Sequence, residues 1–127
     1  MGDLENGECV IVRRTDREKV VVKLENLEAA VAEQLVVVQQ QMYDKAKKNL
    51  DEHIFEAHSL EEAKQLQEAN GGYIKTMWCG DLECEMAMKE KAGMSSRCIP
   101  FAQENLGDTC PCCGKKADKM VYWGIAY

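Results

Sequence analysis

Six of the seven cysteines in this 127-residue chain fall between positions 79 and 113. Thiols crowded into so short a stretch share a covalent bond, a metal or a redox cycle, and each choice dictates a different fold. Cys110-Pro111-Cys112-Cys113-Gly114 contains a Cys-Pro-x-Cys-Gly knuckle. Two thiolates three positions apart on a tight turn can reach one ion. Proline presets that turn, and glycine lets the backbone fold back so that amide N–H groups point at the sulfurs. One knuckle is half of a tetrahedral site. Cys79-Gly80-Asp81-Leu82-Glu83-Cys84 offers the other half. There Cys79 leaves a strand, and Cys84 sits in the first turn of a helix, whose positive end favours a thiolate. The twenty-five residues between Cys84 and Cys110 leave room for a helix and a strand to bring the chain back.

Four soft thiolates, with no histidine nearby and no open position, predict a closed structural zinc site at Cys79, Cys84, Cys110 and Cys113. The binding free energy of such a site, about 10–16 kcal/mol, rivals the whole stability of a small domain. Adjacent cysteines rarely ligate one ion together, so Cys112 reads as a bystander. Cys98 and Cys9 read as small buried hydrophobes. Two other uses of the thiols are weaker. A disulfide framework needs an oxidising compartment, against which stand the odd cysteine count and the lack of a visible secretory leader. A redox dithiol at Cys110 and Cys113 wants an exposed thiol at a helix start. Gly107-Asp108-Thr109 before the motif and Gly114-Lys115-Lys116 after it are poor helix-start material. His53 and His58 have no nucleophilic or acidic partner in a recognisable motif and read as surface or loop residues.

Sixteen Lys and Arg against twenty-two Asp and Glu give a net charge of −6. That balance argues against a protein whose main task is gripping phosphate backbones. The longest apolar runs, Leu35 to Val38 among them, are far too short to span a bilayer, so a cytoplasmic protein without membrane contact is expected.

Periodicity predicts an α+β fold: a long N-terminal helix and two shorter ones against a small antiparallel or mixed sheet. The β-branched runs Cys9 to Arg14 and Lys19 to Lys23 predict a hairpin. Leu24, Leu27, Val31, Leu35, Val38, Met42, Ala46 and Leu50 recur at steps of three and four. They predict an apolar stripe on a helix of about seven turns, N-capped by Asn26 and packed into a core or another helix. Ser59-Leu60-Glu61-Glu62 is a capping box, and Asn70-Gly71-Gly72 is a stop. A strand over Tyr73–Trp78 follows, then a helix over Leu82–Ala92 ended by Gly93. Two further strands are expected, at Arg97-Cys98-Ile99 and at Lys119 to Trp123.

The segments GGYIKTMWCGDLEC, SSRCIPF, CPCCGKKA and VYWGIAY, in that order, closely resemble the C-terminal zinc-binding domain of prolyl-tRNA synthetases of the archaeal and eukaryotic type. DLENGECVIVRR, near the start, looks like the last strand of that family's anticodon-binding domain. The resemblance implies that 1–23 is a hairpin left from the anticodon-binding domain and that 24–127 is the zinc domain. It places the family's four zinc cysteines on Cys79, Cys84, Cys110 and Cys113. It also places the family's C-terminal tyrosine, whose carboxylate reaches toward the catalytic domain's active site, on Tyr127. The class II enzyme so implied activates proline with ATP and Mg²⁺ and transfers it to tRNA as a homodimer, through catalytic and anticodon-binding domains that do not fit in this chain. The chain is then non-catalytic by itself. The competing expectation is a free-standing zinc-knuckle protein-interaction module.

Overall fold

The computed structural model describes residues 5–127. Positions 1–4 of the segment expected to form the hairpin lie outside the described residues. The chain divides into two compact units after Asn49, within the last turn of its long helix.

In the first unit, β1 (Glu8–Val12) and β2 (Lys19–Lys23) form the expected antiparallel hairpin, with Val10 opposite Val21. Its turn closes through the Arg13 N–H donating to the Glu18 carbonyl at 3.0 Å, with Arg17 left-handed at φ +64°. Asp16 accepts from the Glu18 N–H at 3.0 Å and from Arg13 Nη2 at 2.9 Å, and the Arg13 bond holds its carboxyl well below the usual carboxylate range.

A 3-10 turn over Leu24–Asn26 then leads into α1 (Leu27–Glu52). Asn26 is therefore not the N-cap. The Leu24 N–H still donates across the hairpin to the Gly7 carbonyl at 2.8 Å, and winding begins at that same residue, directly after β2. The expected stripe is also rotated. Val31, Leu35 and Met42 are exposed, and Leu27, Ala30, Gln34, Val37, Val38 and Gln41 are the half-buried positions. Two glutamines share that face because each has a partner: Gln34 accepts from Arg13 Nη1 at 2.8 Å, and Gln41 donates to Asp16 at 2.7 Å. A two-stranded hairpin covers only a narrow strip of a helix, so no residue of α1 is fully buried.

The second unit holds β3 (Ile54–Glu56), α2 (Leu60–Asn70), β4 (Tyr73–Trp78), α3 (Leu82–Ala92), β5 (Ser95–Cys98) and β6 (Lys119–Gly124). The sheet order is β3-β4-β6-β5, with β3 parallel to β4 and the other pairs antiparallel. Period-two alternation gives this sheet two different faces. Ile74, Val121 and Trp123 pack with Ala63 of α2 and with Met88 and Ala92 of α3. Met77 and Met120, from the same strands, pack instead with Cys84, Cys110 and Ala117. The buried Trp123 indole donates to Thr76 Oγ1 at 2.9 Å, so the first core carries no orphaned indole N–H.

Local signals explain the helix ends. Ser59 Oγ accepts the Glu62 N–H at 3.1 Å, and the Glu62 carboxylate reaches back to the His58 N–H at 2.8 Å. Gly93, left-handed at φ +69°, ends α3 by donating to the Lys89 carbonyl at 3.1 Å. The sequence reading missed β3, whose three residues are too few to show a period. The β5 strand covers Ser95–Cys98 rather than Arg97 to Ile99, and its register against β6 shifts between Ser96 and Cys98.

Candidate metal centre

β4 delivers Cys79 at its end. Gly80, at φ +89°, turns the chain at once, so that Cys84 falls in the first turn of α3 with its N–H on the Asp81 carbonyl at 3.1 Å. The second pair comes from the long excursion between β5 and β6. Thr109 and Lys116 form an antiparallel bridge, and the Cys110 N–H donates to the Lys115 carbonyl at 2.8 Å. The Gly114 N–H closes the knuckle on the Cys110 carbonyl at 2.9 Å, with Gly114 at φ +70°.

These two turns bring the four sulfurs of Cys79, Cys84, Cys110 and Cys113 within 4.8 Å of one another. Cys79 Sγ lies 3.7 Å from Cys84 Sγ and 3.7 Å from Cys113 Sγ. A zinc–sulfur bond of about 2.3 Å makes the edge of a zinc tetrathiolate tetrahedron about 3.8 Å. A donor set of sulfur alone, at that spacing, fits zinc.

Burial and backbone donors set the thiols apart. Cys84 and Cys110 are buried, Cys79 is half-buried and Cys113 is exposed. Burial pushes the Cys84 thiol up, and the neighbouring thiols push the same way. Burial also opposes ionisation of Cys110, but the N–H groups of Cys112, Cys113 and Cys79 donate to its sulfur and bring it down to about 7. Cys79 is raised by burial, against the Asp81 N–H, which favours its thiolate. The knuckle thus carries its own thiolate-stabilising donors before any ion adds its charge.

Other candidates lie elsewhere. Cys112 is outside the cluster. Its Sγ donates to the Cys84 carbonyl at 3.5 Å, and it packs against both cores of the unit. Burial, then the Cys110 thiolate, pushes it up to about 11. Cys98 was expected to be buried and is exposed, because it sits on the edge strand β5, opposite Tyr122, beside the open part of the sheet. Cys9, with the same expectation, is only half-buried, since the hairpin has little packed over it. His53 and His58 are exposed and outside the cluster. Tyr127 is fully exposed beyond the end of β6 and does not join the thiols.

Sequence reasoning missed the residues that hold the cysteine-bearing excursion against the sheet. Where β5 has stopped pairing with β6, the Gln103 side chain takes over. Its Oε1 accepts the Met120 N–H at 2.7 Å, and its Nε2 donates to the Met120 carbonyl at 3.3 Å. Glu104 pairs with Lys75 at 2.7 Å, and Glu56 meets the same ammonium at 3.1 Å. A glutamine and a glutamate in a polar loop give no sequence signal for either role.

A small α+β unit that gathers four cysteine sulfurs is of the class of domains that could hold a metal ion between two turns. The profile of the family described as "Prolyl-tRNA synthetase, C-terminal" matches residues 60–127, and the chain belongs to that family. Among curated relatives, the proline–tRNA ligase of Lachnoclostridium phytofermentans is 47% identical over 125 residues, and that of Clostridium novyi 48% over 125. The proline–tRNA ligase of Agathobacter rectalis is 49% identical over 126 residues. Each alignment covers 98% of this chain and 26% of the relative, so the chain spans about a quarter of the length of these proteins.

Proposed function

We propose that Cys79, Cys84, Cys110 and Cys113 hold a structural zinc ion, and that the chain serves as the C-terminal portion of a proline–tRNA ligase. The convergence of the four sulfurs within 4.8 Å, in a member of this family, carries the reading. Zinc so bound has no open position. It supplies folding free energy by joining the β4–α3 turn to the 110–113 knuckle, and takes no part in chemistry. The activation of proline with ATP and Mg²⁺, and its transfer to tRNA, are assigned to catalytic and anticodon-binding domains of a homodimeric parent. Residues 1–23 are assigned to the end of the anticodon-binding domain and 24–127 to the zinc domain. The cytoplasm, whose reducing conditions keep thiols available to metal, is the expected compartment.

Elemental analysis of the chain, purified without added metal, is expected to give about one zinc per chain, the load of a single tetrathiolate site. Serine at any of the four ligand positions should abolish it, and a full metal load in Cys84→Ser would overturn the ligand set. The chain alone should catalyse no proline-dependent ATP–pyrophosphate exchange, and exchange by the pure chain would overturn the division of labour. In the parent, Tyr127 is assigned a reach toward the active site, in keeping with its exposure past β6. Removing Ala126 and Tyr127 there should slow proline activation while zinc content stays unchanged. Kinetics equal to those of the intact parent would take Tyr127 off the site.

A further inference from the structure

A zinc ion with four thiolates carries two net negative charges. Here that charge falls in acidic surroundings, beside Asp81 and the first-turn residues Glu83 and Glu85 of α3. Two ammonium groups stand against it. Lys115 Nζ lies 3.3 Å from Asp81 Oδ2, across the turn that follows Cys79. Lys119 pairs with Trp78 at the end of β4, and its Nζ reaches over Gly80, where an added Cβ would come within 3.4 Å of it. The bare backbone of Gly80 leaves room for that ammonium. Lys116 goes elsewhere and lines a polar hollow with Met77, Gln103, Glu104 and Asp108.

Resting on the zinc reading above, we propose that Lys115 and Lys119 form a cationic second sphere over the Cys79-Gly80-Asp81 turn, which partly offsets the charge of the tetrathiolate centre and lowers its repulsion of anionic reagents at its one exposed sulfur, Cys113. The buried sulfurs of Cys84 and Cys110 are closed to direct attack, so the field around Cys113 sets how the loaded centre meets the solution. The relevant step is thiol–disulfide exchange. The Cys113 thiolate attacks one sulfur of a disulfide, a mixed disulfide forms, the second sulfur leaves as a thiolate, and zinc loses a ligand.

The test uses the zinc-loaded chain and follows metal release with a chromophoric chelator. Release is driven in parallel by a dianionic aromatic disulfide and by a neutral thiosulfonate. Lys115→Gln and Lys119→Gln should each lower the anionic-to-neutral rate ratio by about three- to tenfold at low salt, and the effect should vanish near 1 M salt. Lys115→Arg should restore the ratio, and Lys116→Gln should leave it unchanged. A purely structural role for the lysines would speed release by both reagents alike, and that result, or an unchanged ratio, overturns the proposal. The metal content of the unaltered chain is measured first. No zinc there would sink the zinc reading and this proposal together, whereas bound zinc with an unchanged ratio sinks this proposal alone.

Discussion

A methyl group added to Gly72 would lie 2.2 Å from the carbonyl oxygen of His53, on a backbone held at φ +82°. That carbonyl is not free to move, because it accepts the Tyr73 N–H at 2.8 Å where β3 and β4 begin to pair. Gly72→Ala should therefore cost about 2 kcal/mol or more, read as a shift in denaturant midpoint. Gly71 also has positive φ, +66°, but open space around it. With ψ at −158° this backbone is close to glycine-only, so Gly71→Ala should cost about 1–3 kcal/mol, the conformational part alone. The two glycines are equivalent in the sequence, and only the partner strand tells them apart. Cys112 teaches the reverse lesson. Its place outside the cluster of four sulfurs was expected from adjacency to Cys113, and its Sγ points to the Cys84 carbonyl. Cys112→Ser should keep the full metal load and cost about 1 kcal/mol of packing, checked by elemental analysis beside thermal melting.

Elements with a complete local signal were legible to within a residue or two. The capping box at Ser59 and the stop at Gly71 frame α2 because each end satisfies its own backbone groups from nearby sequence. β3 carries no such signal and exists because β4 offers it an edge. The excursion from 99 to 118 is similarly held by partners distant in sequence, Lys75 on β4 and Met120 on β6. The Lys75 side chain is only 11% exposed, and its ammonium is raised above the usual 10.5 by Glu104 first and also by Glu56, against the opposing effect of burial. A raised lysine contributes stability that is present at neutral pH and lost as pH climbs through the raised value. Glu104→Gln should thus cost about 1 kcal/mol at pH 7. The deficit relative to the unaltered chain should shrink above pH 10.5, in denaturant titrations run as a pH series.

At the scale of the whole molecule, the thiol site belongs to one compact unit and the hairpin to the other. A strong zinc chelator should therefore abolish the near-ultraviolet signal of Trp78 and Trp123 while much of the helical far-ultraviolet signal of α1 persists. Loss of both signals in a single step would mean that the units fold as one. Among the described residues, no helix is long and apolar enough to cross a membrane, as the short apolar runs led us to expect. Local pattern sufficed for the α+β class, the position of each long element and the four thiols to be gathered, because periodicity, capping residues and the four-residue and two-residue gaps within the two cysteine pairs act over one or two turns of chain. Long-range packing settled which face of α1 is half-covered, that Cys98 is exposed, that β3 forms, and that Gln103 and Glu104 tie the excursion from 99 to 118 to the sheet. Those outcomes depend on which distant surface arrives to remove water or to supply a hydrogen-bond partner, and a local pattern of residues carries no record of that arrival.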